Sequence, residues 1–165
     1  MRFVVFHACL LVSASLQAGE KNLSLPQVIN ITQVEEENVK TVKSVGQEYI
    51  ALLNRIGASQ NLSHEKDVLS LCSPDCKKIV NGALWFERRE KFLPQLLSTG
   101  EKVGFWSIES LDVIPGKDER TVVVRFLVHT EKAGVWNTLV ILRCNDELLV
   151  TEINEVFNSY EGPLK

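Results

Sequence analysis

The hydrophobic period changes near residue 103, and this change constrains the fold more than any other feature of the chain. Downstream, VGFWSIESLDVI, RTVVVRFLVHT, VWNTLVILRC and LLVTEINEVF are rich in β-branched and aromatic residues, which fit a pleated surface. Their connectors PGKDE, EKAG and NDE suit hairpins, so the four segments read as an antiparallel meander. Upstream, apolar residues fall three and four apart. Val42, Val45, Tyr49, Leu52, Leu53 and Ile56 make one stripe of a first helix, with Gly57 as its stop. Thr32-Gln33-Val34-Glu35 has the capping-box pattern, and Glu35, Glu36 and Glu37 suit the positive end of a helix dipole, so the helix is expected to follow from there. A second short helix is expected from Ser63 to Leu71. ERREKFLPQLLSTG reads as a third, which Pro94 kinks or restarts and Gly100 ends. KKIVNGALWF reads as a short strand or an extended entry. Helices first and strands afterwards define an α+β domain, with the helices covering one face of an antiparallel sheet.

The opening MRFVVFHACLLVSASLQAGEK has one arginine, an apolar run to Val12 and small residues from Ser13 to Gly19, the order of a secretory signal peptide. Residues 1–18 are expected to be removed, with cleavage after Ala14 as the alternative. No segment reaches the roughly 20 apolar residues that a spanning helix needs, so no membrane span is expected in the mature chain. Residues 19–33 read as a flexible leader, 34–160 as one domain and 161–165 as a tail. The expected location is secreted or periplasmic. Loss of Arg2 deepens the acidic excess of a chain with 18 Lys and Arg against 21 Asp and Glu, which argues against nucleic acid as a partner. Lys77-Lys78 and Arg88-Arg89 read as solvated helix faces.

Export makes the cysteines informative. Cys72 and Cys76 in CSPDC are close enough to close a small disulfide loop bent by Pro74 and Asp75, leaving Cys144 buried and free. A bridge from Cys144 to either of them is the alternative. A metal site of Cys72, Cys76, His64 and His129 lacks a second close pair, so neither a metal nor a cofactor is expected. Asn22, Asn30 and Asn61 begin sequons that matter only in a eukaryotic source.

With VGQEYIALLNRIG, ERREKFLPQL and the closing LLVTEINEVFNSYE in this order, the chain resembles the nuclear transport factor 2-like superfamily, which includes SnoaL-like cyclases and ketosteroid isomerase. The resemblance covers roughly residues 34–160. It implies N-terminal helices packed on a strongly curved antiparallel sheet, a cone-shaped, cystatin-like α+β roll with a pocket at its wide end. It also implies a homodimer through the exposed sheet face. In ketosteroid isomerase a tyrosine hydroxyl of the first helix donates to the developing oxyanion, and Tyr49 matches that position. That chemistry also needs a carboxylate base and a second acidic donor kept neutral by apolar surroundings. By the resemblance these fall near Val80 or Asn81 and near Thr138 or Leu139, and neither KKIVNGALW nor VWNTLVILR contains an acid. Isomerase chemistry is therefore disfavoured, and Tyr49 reads as a core or pocket-lining tyrosine with a satisfied hydroxyl.

Alternation in RTVVVRFLVHT puts Val122, Val124, Phe126 and Val128 on a core face and Thr121, Val123, Arg125, Leu127 and His129 on the other. Arg125 and His129 are expected to pair with Glu152 or Glu155, a cross-strand ion pair being preferred over an anchor for an anionic ligand. The pocket-lining candidates are Tyr49, Trp85, Phe105, Trp106, Arg125, Phe126, His129, Trp136 and Glu152. Against this stands the commoner role of such aromatics as core filler. No catalytic residue is assigned, since no nucleophile elbow, phosphate loop or dinucleotide fingerprint occurs. The expected protein is an exported, non-enzymatic domain that binds a small apolar ligand or a protein through its pocket or sheet face. The alternative is a SnoaL-like or isomerase-like enzyme with a different acid–base set, Tyr49 with His129 or Glu152.

Overall fold

The computed structural model describes residues 40–160. The signal peptide, the leader and the Thr32–Glu35 capping box lie outside the described residues.

Helix α1, Val42–Ser59, starts at a different capping box. Thr41 is extended, its Oγ1 accepts from the Ser44 amide at 3.2 Å, and Ser44 Oγ accepts from the Thr41 amide at 3.1 Å. The apolar stripe is buried along its length, from Val42 to Ile56. Gly57 does not stop the helix. It lies inside it because Trp106 crosses there, and a Cβ at this position would collide with the Trp106 carbonyl and indole. The helix ends at Ser59, capped by Gln60 in the left-handed region. Helix α2, Glu65–Leu71, follows a 3-10 turn at Leu62–His64 whose cap is Asn61 rather than Ser63.

Helix α3 runs from Phe92 to Val103 after a 3-10 turn at Arg89–Lys91. Pro94 therefore sits in the first turn, where a missing amide costs nothing because those amides have no helical acceptor. Gly100 is interior, pressed against the Gln60 side chain, and the cap is Gly104 at φ 73°.

Among the described residues the sheet has six strands, the four of the expected meander and two more. Strands β3 (Trp106–Pro115), β4 (Thr121–Thr130), β5 (Gly134–Cys144) and β6 (Val150–Ser159) form the meander. Strands β1 (Cys72–Val80) and β2 (Ala83–Phe86) extend it to the order β2-β1-β6-β5-β4-β3, with β1 parallel to β6 and the other pairs antiparallel. The β1–β2 turn is Asn81-Gly82, at φ 48° and 79°, the positive pair that a two-residue hairpin turn requires. Asn81 also fastens the hairpin to β6, its amide donating to the Glu155 carbonyl at 2.8 Å and its Oδ1 accepting from the Phe157 amide at 3.1 Å.

Among the described residues three helices on one face of a strongly bent, open sheet make an α+β cone, and the core fills the closed end. Val122, Val124 and Phe126 of β4 meet Val140 and Leu142 of β5, Ile153 of β6 and the α1 stripe. Tyr49 stacks on Phe92 of α3 with ring centres 6.3 Å apart. Among the described residues no helix is long and apolar enough to cross a membrane.

Candidate functional site

Toward the open end of the cone, α3 and the sheet diverge and leave a cavity of about 180 Å³. Strand alternation decides which side chains reach it. Ile108 on β3, Phe126 and Val128 on β4, Trp136 on β5 and Phe157 on β6 present apolar walls, and Leu96, Thr99 and Val103 of α3 form the lid side. Trp85 and Trp106 complete the lining, so all three tryptophans of the chain face this space.

Two charged residues stand among these apolar groups. Lys78 of β1 shares an inward face with Cys76 and Val80, and only 3% of its side chain is exposed. Its Nζ lies 3.0 Å from Oε2 of Glu155, whose side chain is 15% exposed, and 3.3 Å from Oε1 of Gln95. Gln95 is fixed in turn by donation from Nε2 to Thr99 Oγ1 at 3.0 Å. The ammonium also lies 5.8 Å from the Trp85 ring centre and 5.7 Å from that of Phe92, within cation–π range. A lone charge here would be costly, and the pair with its aromatic and amide neighbours makes both tenable.

Tyr49 lies behind this floor. It is fully buried, and its hydroxyl has the Glu155 carboxylate as a neighbour, outside normal hydrogen-bond distance and angle, a weaker partner than the satisfied hydroxyl expected. Burial first, and the Glu155 carboxylate second, hold its pKa well above the ordinary tyrosine value, so it stays a neutral phenol.

Of the other pocket candidates, Trp85, Trp106, Phe126 and Trp136 line the cavity, whereas Phe105, Arg125, His129 and Glu152 do not. Phe105 is 56% exposed, just outside β3. Arg125 and His129 lie on the outer sheet face, and their partners are on β3: Arg125 Nη2 is 2.8 Å from Asp112 Oδ2, and His129 Nε2 is 3.0 Å from Glu109 Oε2. The expected partners on β6 are out of reach because β5 separates β6 from β4. Glu152 bridges Lys77 at 2.9 Å and Arg143 at 3.3 Å. Lys77-Lys78 lies on a strand, not a helix, and Lys78 is buried rather than solvated.

Cys72, Cys76 and Cys144 are buried free thiols, so the expected Cys72–Cys76 bridge is not formed. CSPDC does not fold as a separate loop; it enters the sheet as the start of β1. Its hydrogen bond with Cys76, then burial, hold the Cys72 thiol well above its ordinary pKa, and burial pushes Cys144 up to about 11. Such thiols are poor nucleophiles. Among the described residues no group of three or more His, Cys, Asp or Glu is placed to hold a metal ion.

Sequence reasoning missed Lys78 and Glu155 as a pair. The signal was present on β6, where Ile153, Glu155 and Phe157 share one alternation, an acid in phase with two inward apolar residues.

Helices packed into a bent sheet around a cavity at its open end define the nuclear transport factor 2-like fold, and the chain has that fold. A nuclear transport factor 2-like protein of unknown function from Exiguobacterium sp. 255-15 is similar, with a TM-score of 0.59 and 15% identity, covering 70% of this chain and 99% of that one. A protein from Jannaschia sp. CCS1, named provisionally as a SnoaL-like polyketide cyclase, has a TM-score of 0.58 and 12% identity over 74% of this chain and 91% of its own. A protein of unknown function with a cystatin-like fold from Methylobium petroleophilum PM1 has a TM-score of 0.57 and 11% identity over 74% of this chain and 82% of its own. No protein-family model matches the sequence, and no curated protein matches it.

Proposed function

We propose that this protein binds one small, mainly apolar molecule in its cavity. The observation that carries the reading is a space walled by the chain's three tryptophans with, among the described residues, one charged pair, Lys78 and Glu155, on its lining. A cavity of about 180 Å³ suits one ring or a short branched chain, since an apolar cavity of about 150 Å³ takes up benzene. The tryptophans also supply the assay. Titration with toluene should change the tryptophan emission along a saturable curve; a response that stays linear in toluene would reject the reading.

One observation favours an enzymatic variant of this function. A carboxylate and an ammonium stand 3.0 Å apart beside the cavity, a base next to a donor. The Jannaschia protein's provisional cyclase name is compatible with such use. Turnover lost in Glu155→Gln with ligand binding retained would support it; turnover unchanged in that variant would dismiss it.

The proposal includes export with removal of residues 1–18, for which the N-terminal sequence pattern is the support. Mass spectrometry of the protein from its own source should find a chain beginning at Gly19. It also includes self-association through the outer sheet face, where Leu139 and Val156 pair across β5 and β6 and are 39% and 54% exposed. Light scattering that shows only monomer at high concentration would contradict this.

A further inference from the structure

We propose that Lys78 and Glu155 form a subsite for a neutral hydroxyl, so that the ligand is an uncharged alcohol or phenol rather than a hydrocarbon or an acid. The inference rests on the binding function proposed above and names the chemistry of its ligand.

The argument is one of unused hydrogen-bonding capacity. An ammonium has three N–H groups. Two from Lys78 are directed at Glu155 Oε2, 3.0 Å away, and Gln95 Oε1, 3.3 Å away, which leaves one. An ionised carboxylate accepts at about four positions, and among the described residues Lys78 and the neighbouring Tyr49 hydroxyl occupy at most two of those on Glu155. A free donor therefore stands next to a free acceptor, on residues that line the cavity. A hydroxyl accepts one bond and donates another, so one such group satisfies both. A hydrocarbon satisfies neither.

Charge narrows the class further. The pair is neutral as a unit, and among the described residues the rest of the cavity lining carries no charged residue. A carboxylate ligand would place a second anion beside Glu155, and an ammonium ligand a second cation beside Lys78. Apolar walls screen neither repulsion well. An uncharged hydroxyl adds no charge to the site.

The groups are also held in place. Thr99 orients the Gln95 amide, and the Trp85 and Phe92 rings flank the ammonium at 5.8 and 5.7 Å. Stability alone is a weak reason to retain such a pair, because well-packed apolar residues of similar volume are commonly as stable or more so.

The test is calorimetric titration of the purified full chain with three single-ring probes of similar size: phenol, toluene and benzoate. Phenol should bind at least tenfold more tightly than the other two, the scale expected for hydrogen bonds to charged partners. The double variant Lys78→Met/Glu155→Leu should still bind toluene and lose the preference for phenol. Toluene or benzoate binding the unaltered protein as tightly as phenol would overturn the subsite while leaving the cavity as a binding site. Persistence of the phenol preference in the double variant would also overturn it. Failure of all three probes to bind would overturn the subsite and the binding function together. The comparison on the unaltered protein decides the matter even where the variant does not fold.

Discussion

Removing one member of the buried Lys78–Glu155 pair should damage the protein far more than removing both. At 3.0 Å and an effective dielectric constant of about 20, the two charges attract by about 5.5 kcal/mol before desolvation is counted. Desolvation offsets much of that, but a single substitution leaves the other charge buried without its partner. Lys78→Met and Glu155→Leu should each cost about 3–5 kcal/mol, with Lys78→Met nearer the lower figure because Glu155 keeps 15% exposure through which water can reach it. The double variant replaces both charges with apolar groups and should lie within about 1 kcal/mol of the parent. In urea, with a slope of about 2 kcal/mol/M, each single variant should lose about 2 M of its unfolding midpoint and the double variant should recover nearly all of it. A double variant that loses the sum of the two single losses would refute the reasoning, since the residues would then act independently.

Gly57→Ala should destabilise by about 2 kcal/mol in urea unfolding, despite the roughly 1 kcal/mol gained in helix propensity, because its Cβ meets Trp106; an unchanged midpoint would show that Trp106 yields freely. Asn81→Ala should cost about 2 kcal/mol and Asn81→Gly about half that, because glycine keeps the positive φ and loses only the side-chain bonds to Phe157. Thermal melts should show stability falling as pH rises from about 9 to 11. The Cys144 thiol, pushed up to about 11 by burial, stays neutral there while the unfolded thiol ionises, so its contribution is whole below about pH 8.5 and lost through the folded value. Tyr49 acts in the same sense at higher pH, and Cys144→Ala should flatten the slope.

What was legible in the sequence follows from local periodicity. The α1 stripe and the two faces of β4 are set by spacings of three to four and of two, which tertiary context did not override here. The helix ends were less legible because Gly57 and Gly100 serve close packing, against Trp106 and Gln60, rather than termination. The β1–β2 hairpin carried the Asn-Gly signal in KKIVNGALWF, yet the pairing of β1 with β6 joins Cys72 to Val150, a contact that no local pattern encodes. The same distance hid the site. Lys78 read as solvent-facing because a buried lysine is rare without a partner, and its partner lies 77 positions away on β6. Alternation separates Arg125 and His129 from the core face of β4, but that they lie away from the cavity and pair with β3 follows only from the strand order.

A crystal structure of the full chain equilibrated with phenol tests the central claim most directly. The account predicts one phenol in the cavity among Trp106, Phe126 and Trp136, its oxygen within hydrogen-bond distance of Lys78 Nζ and the Glu155 carboxylate. A cavity closed by its own side chains, or phenol seated elsewhere, would contradict it.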